Sequence, residues 1–187
     1  MSTTPTTAQL KQSQQDLVTA IHSQTAAVSG TNWGKQTQLE ESLMVGASGE
    51  PLPAQWRLSK GSGGGGYFGF TPPYYSPADE SASAQAQVKA ILPSYETSLS
   101  KTLATTNITN APAFAEYVAL GAEKPLNYSQ EQTTIRATNK PTTYGASPYK
   151  VGNWSQIVTE LSPHSTVAAS EVAGASSATH ARVNKGK

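Results

Sequence analysis

"SPADESASAQAQVKAILPSYETSLSKTLATT", residues 76–106, is the longest stretch of the chain that keeps one period, and it decides the fold class. Ala84, Val88, Ile91 with Leu92, Tyr95, Leu99 and Leu103 recur at helical spacing straight through Pro93, which places them on one face of an α-helix. Ser76 before Pro77 reads as a helix cap followed by proline at the first helical position. Asp79, three residues after Ser76, completes a capping box with Asp in place of Glu. Proline inside the run removes one helical hydrogen bond, so the stretch is either one helix kinked at Pro93 or two helices with Ser94 capping the second. The Ala- and Ser-rich first half lets another helix approach closely but buries little.

The segments to either side carry the same period. Leu10, Gln14, Leu17, Ile21, Gln24 and Val28 are spaced 4, 3, 4, 3, 4, a heptad-like stripe that opens with Thr4 as N-cap and Pro5 at the first helical position and closes at Ser29-Gly30. "TNWGKQTQLEESLMVG" predicts a shorter helix, with Thr31 or Asn32 as cap and Gly46 as stop. "NAPAFAEYVALG" groups Phe114, Tyr117, Val118 and Leu120 before Gly121. In "NYSQEQTTIRA" and "GNWSQIVTELS", Asn127 and Asn153 stand in capping relation to Gln130 and Gln156. The fold class expected is therefore mainly α. Loosely packed helices are predicted over about 5–29, 33–45, 77–106, 112–120, 128–137, 153–161 and, weakly, 165–182, joined by long irregular Gly/Pro/aromatic connections. The chain divides into an N-terminal helical segment (1–45), an irregular arm (46–76), a helical body (77–161) and an Ala/Ser-rich C-terminal segment with a basic tail (162–187).

Composition narrows the function classes. The 187 residues carry 13 Lys and Arg against 12 Asp and Glu, so no global field steers the chain onto nucleic acid or anionic lipid. Charged residues are 13% of the chain, roughly half the usual share of about 25%. Their place is taken by 25 Ala, 22 Ser, 22 Thr and 13 Gln, while Leu, Ile, Val and Phe together number only 30. Such a chain has little to bury and little to repel its neighbours, which suits ordering inside an assembly. With no Cys, disulfides, thiolate metal sites and Cys nucleophiles are all excluded. No secretory leader is expected from "MSTTPTTAQLKQSQQ", and no apolar run nears the ~20 residues that span a bilayer. The expectation is a soluble protein made in a cytosol, without membrane partners.

The search for chemistry returns little. His22 falls inside the first helix, His164 and His180 in the C-terminal segment, and none has zinc-ligand spacing or a carboxylate at motif distance. Glu40-Glu41 and Asp79-Glu80 fall in or near the first turns of predicted helices, where they complement the helix dipole. "GSGGGGYFG" matches G-x-G-x-x-G at Gly61, Gly63 and Gly66, but no strand precedes it and no helix opens from it, so a dinucleotide fingerprint is rejected. No catalytic residue, cofactor or metal is expected.

One stretch remains, "SKGSGGGGYFGFTPPYYSP" at residues 59–77, where four consecutive glycines abut five of the fourteen aromatic side chains. Flexible glycines followed by Tyr67, Phe68, Phe70, Tyr74 and Tyr75 around Pro72-Pro73 read as an arm that docks on a partner. The bland alternative is a loop folded back over its own thin core. With Leu10, Leu17, Ile21 and Val28 of the first helical stripe, these aromatics are the candidate assembly contacts. Arg182, Lys185 and Lys187 form a short basic tail, a candidate for weak, salt-sensitive phosphate contact; direct nucleic-acid binding is the weaker expectation. The function expected is a non-catalytic structural subunit of a large repetitive assembly, such as a virion component, its partners being copies of itself or other subunits. The alternative is a small helical adaptor that folds alone and engages one partner.

Overall fold

The computed structural model of the chain describes residues 6–26, 35–47, 66–68, 83–142 and 154–161. Over these residues the fold is mainly α, as expected. Its six helices are α1 (Thr7–Thr25), α2 (Lys35–Ala47), α3 (Ala84–Thr105), α4 (Ala111–Glu123), α5 (Tyr128–Thr138) and α6 (Trp154–Leu161). None is long and apolar enough to cross a membrane.

The core is organised on α4. All ten residues from Ala111 to Leu120 are buried, the signature of a helix packed on every side. Ala111, Ala113, Ala115 and Ala119 keep it slim, so its neighbours approach closely, and Phe114, Val118 and Leu120 fill the remaining space. Burying side chains of that size contributes about 1.5–3 kcal/mol each. α2 makes the most extensive contact with α4, and α3 and α5 lie against it as well. α1 packs on α3, and α6 touches α2 and α1, bringing Trp154, Ile157 and Leu161 into the same core.

Helix ends differ from the sequence reading in several places, some through local capping and some through partners distant in the chain. The cap of α1 is Thr6, not Thr4: Thr6 Oγ1 accepts from Gln9 N at 3.2 Å and Gln9 Oε1 accepts from Thr6 N at 2.8 Å. Only Thr6 has a Gln three residues on to complete this reciprocal pair. α3 opens on Ser83, whose Oγ accepts from Ala86 N at 3.2 Å, and runs as one helix through Pro93. The proposed start at Ser76-Pro77 lies outside the described residues. Gly46 and Gly121, expected to stop helices, sit inside α2 and α4. They are there for close approach: a Cβ on Gly46 would collide with the Tyr95 hydroxyl, and one on Gly121 would lie 2.5 Å from Ser98 Oγ. α4 ends instead on Lys124, in the left-handed region at φ 48°. Asn127, expected to cap through its side chain, makes no such bond; it takes φ 67° and its backbone carbonyl receives Gln130 N and Glu131 N.

α5 ends on Asn139, also left-handed at φ 52°. Its side chain clamps the α3–α4 connection: Oδ1 accepts from Thr109 N at 2.9 Å and Asn110 N at 3.2 Å, and Nδ2 donates to Thr109 Oγ1 at 2.8 Å. The expected cap at Asn153 and the weak helix over 165–182 lie outside the described residues.

Candidate functional site

The aromatic arm enters the described structure at one turn, residues 66–68. Gly66 takes φ 74°, a conformation open to glycine at no steric cost, and the next two side chains turn inward. Tyr67 is 2% exposed and Phe68 6%. Tyr67 N donates to Gln87 Oε1 at 2.9 Å, and its hydroxyl meets Ser13 Oγ at 2.8 Å and Ser13 O at 3.1 Å. Burial raises the Tyr67 phenol above its ordinary value of 10.0, against the Ser13 hydrogen bond that lowers it. The Phe68 ring packs edge-on against Tyr95, centroids 6.1 Å apart, and Tyr95 Oη donates to Glu123 Oε2 at 2.8 Å. Leu17 and Ile21 are equally buried, on the helix that packs against α3 and α2. These four candidate assembly contacts are engaged within the chain, so contacts between copies through them would require this corner to open. Phe70, Tyr74, Tyr75, Val28, Arg182, Lys185, Lys187 and the side chain of Leu10 lie outside the described residues.

On the far side of α3 the chain forms a groove of about 740 Å³, lined by α3, the C-terminal half of α4 and α5. One wall is a stripe of α3: Pro93, Ser94, Thr97, Ser98, Lys101, Thr102 and Thr105. The other carries Tyr128, Gln132 and Arg136, spaced i, i+4, i+8 on α5, and the floor is Tyr117 and Gly121, with Lys124 at the rim. Hydrogen bonds hold the walls to the floor: Ser98 Oγ donates to Val118 O at 2.7 Å, and Gln132 Nε2 to Tyr117 O at 3.1 Å. Of the fourteen lining residues three are cations, Lys101, Lys124 and Arg136, and none is a carboxylate or histidine. A chain of net charge +1 thus gathers three positive charges on one concavity.

The ends of the groove follow from chain direction. Ser98 meets Val118 and Tyr95 meets Glu123, so α3 and α4 are antiparallel, and Lys124 lies toward the Pro93–Ser94 end. Gln132 meets Tyr117 and Asn139 meets Thr109, so α5 returns antiparallel to α4, and Arg136 lies toward Lys101 and Thr105. Eight residues separate Tyr128 from Arg136 on α5, about 12 Å at the rise of an α-helix. Arg136, in the last turn of α5, and Lys124, at the cap of α4, also complement the negative helix ends. Lys124 is costly where it stands, because the left-handed conformation disfavours a lysine by roughly 1–2 kcal/mol.

Four buried carboxylates, Glu40, Glu41, Glu116 and Glu131, lie outside the groove lining. Glu116, fully buried on α4, receives the backbone N–H of Thr142 at 2.9 Å and the Thr142 hydroxyl on its other oxygen. Burial pushes its carboxyl up to about 7, outweighing the Thr142 bonds, and the charge of Glu131 adds to the rise. Glu40, 1% exposed, lies 3.5 Å from His22 Nδ1 and receives the Thr25 hydroxyl at 3.3 Å. Burial raises its carboxyl too, although His22 opposes the change. Among the described residues no three His, Asp or Glu side chains converge on a point that would hold a metal. These carboxylates are polar groups inside the core, whereas Lys101, Lys124 and Arg136 line the groove.

Of the groove residues, Pro93, Ser94, Tyr117 and Gly121 read in the sequence as kink, cap, apolar face and stop, and none as a binding residue. Ser94, Thr97, Ser98, Lys101 and Thr105 do form a polar stripe at helical spacing, a local signal. No family model, curated protein or solved structure matches this chain.

Proposed function

We propose that the chain is a non-catalytic binding protein, a small helical module that receives an anionic partner in the groove between α3, α4 and α5. The observation that supports this reading is the lining itself. Lysine, arginine, hydroxyl and amide groups donate hydrogen bonds to an anion, whereas proton transfer near neutral pH calls on histidine or a tuned carboxylate. The volume lies within the roughly 300–1,000 Å³ of small-molecule sites. A thermal-shift panel of citrate, sulfate and phosphate at matched ionic strength tests it. Wild-type protein is expected to gain stability saturably with at least one anion, and the double variant Lys101→Gln/Arg136→Gln to lose that gain. A panel without any saturable response in the wild type overturns the reading.

A second reading, a structural subunit of a large repetitive assembly such as a virion component, draws on two features. One is the low-charge, Ala/Ser/Thr/Gln-rich composition. The other is Leu126, a large apolar side chain left 89% exposed in the α4–α5 turn. Light scattering over a concentration series tests it. Growth of large oligomers that Leu126→Ser suppresses supports assembly, and a constant mass of 19.6 kDa excludes spontaneous self-assembly under those conditions.

A further inference from the structure

We infer that the α3–α4–α5 groove is built for a ligand bearing at least two phosphate groups, one held by Lys124 and one by Lys101 with Arg136. The inference rests on the reading of the groove as a binding site and names the chemistry of its ligand. Three features carry it.

The first is charge in excess. Three cations line the groove without a carboxylate among them, so a single carboxylate would leave most of the charge unanswered. A phosphate group brings up to two negative charges and several acceptor oxygens. The planar fork of Arg136 matches that geometry, and the lysines act as point charges beside it. The second feature is separation. Lys124 lies at the Pro93–Ser94 end of the groove and Lys101 with Arg136 at the Thr105 end, roughly two helical turns apart by the antiparallel docking of α3, α4 and α5. Such a layout fits two anionic groups on one elongated molecule better than one compact anion. Thr97 places a hydroxyl on the wall between the two ends.

The third feature is the position of Lys124. Three residues other than glycine take positive φ among the described residues: Asn127, Asn139 and Lys124. Asparagine is enriched there and lysine is not. Helix termination needs only the backbone N–H of Lys124, which bonds Leu120 O at 2.8 Å; glycine would supply it without strain. The lysine side chain therefore stands at a position that helix termination alone would fill differently, at the mouth of the cationic groove.

Calorimetric titration at low salt tests the assignment with three probes: tripolyphosphate, a hexameric oligothymidylate and citrate. One-site binding of tripolyphosphate is expected if the phosphates come from a small molecule, and of the oligonucleotide if they come from a nucleic-acid backbone; either supports the inference. Lys101→Gln and Arg136→Gln are each expected to weaken binding about tenfold, the loss of one charge-assisted hydrogen bond. Lys89→Gln, exposed on α3 but outside the lining, is expected to leave it unchanged. Lys124→Gly separates structure from recognition: binding falls by a similar factor while the melting temperature holds or rises. Citrate bound as tightly as the phosphate probes overturns the phosphate assignment and leaves the binding reading standing. Binding of none of the three overturns both. Phosphate binding that all three groove variants retain shows that the anion sits elsewhere and overturns the site.

Discussion

Helix α3 belongs to two regions of opposite character. On one side Val88, Ile91, Tyr95 and Leu99 are buried, and Tyr95 joins Phe68 in a corner whose polar atoms are matched: Tyr67 to Ser13 and Gln87, Tyr95 to Glu123. On the other side Ser94, Thr97, Lys101 and Thr105 line a groove whose lining holds three cations and no carboxylate. Among the described residues of the aromatic arm, Tyr67 and Phe68 lie inside the molecule, where burial requires every hydroxyl to find a partner. The groove lining is largely small hydroxyls and long cations, with Tyr117 and Tyr128 beside them. The proposed binding chemistry lies instead in the polar stripe of α3.

The sharpest way to break that contrast is to empty the corner. Tyr95→Ala removes a fully buried ring on which Phe68 packs and which fills the space left open by Gly46. A loss of about 3–5 kcal/mol is expected in urea denaturation. Tyr95→Phe keeps the ring and forfeits only the bond to Glu123, with a smaller loss of about 1–3 kcal/mol. A loss below about 1 kcal/mol for Tyr95→Ala would mean that the corner is not a dry, packed core. On the groove side the corresponding target is Asn139, whose side chain ties the end of α5 to Thr109 and Asn110. Asn139→Ala is expected to cost about 2 kcal/mol through lost hydrogen bonds and left-handed strain. Asn139→Gly, which removes the bonds but not the conformational freedom, is expected to cost less. Equal costs would assign the whole effect to the hydrogen bonds.

The two regions were not equally legible in the sequence. Apolar spacing predicts helices over 5–29, 33–45, 77–106, 112–120, 128–137 and 153–161, and a described helix overlaps each of these ranges, because period and capping are local properties. Their ends were less legible. Gly46 and Gly121 read as stops, yet both lie within helices because Tyr95 and Ser98, far along the chain, need the space. The groove was partly legible: the α3 stripe from Ser94 to Thr105 has helical period, and so do Tyr128, Gln132 and Arg136. That the two stripes face each other across Tyr117 depends on antiparallel docking of three helices, a non-local fact. Lys124 was half legible: Pro125 marks a helix end at the residue before it, but nothing in "GAEKPLN" signals that this lysine lines a groove with Lys101 and Arg136.

Acidity sharpens the comparison further, because the core behind the groove holds a carboxyl that prefers its proton. Glu116 titrates at about 7 in the folded chain against an ordinary 4.5. A folded value above the unfolded one means that folding binds a proton. The stabilisation is full below about 4.5 and is lost as pH rises through about 7. The urea midpoint is therefore expected to fall across that window and level off above it. Glu116→Gln, which keeps a neutral acceptor for Thr142, is expected to flatten most of the slope. Some slope remains from Glu40, whose carboxyl is raised in the same direction. A slope unchanged in Glu116→Gln would place the titration in another group.

The smallest effect tests whether the corner is held by its rings or by its hydroxyls. Tyr67→Phe keeps the ring and removes the hydroxyl that bridges to Ser13 Oγ and Ser13 O, an expected loss of about 1 kcal/mol. Ser13→Ala leaves the Tyr67 hydroxyl its backbone acceptor, so its cost is expected to be lower. In a double-mutant cycle the two changes are expected to couple by about 0.5–1 kcal/mol, since they share one hydrogen bond. Coupling near zero would assign the inward turn of residues 66–68 to burial of Tyr67 and Phe68 and to the Tyr67 N–Gln87 bond. In that case the hydroxyl is merely satisfied where the ring has put it, and the contrast between an apolar corner and a polar groove becomes stricter.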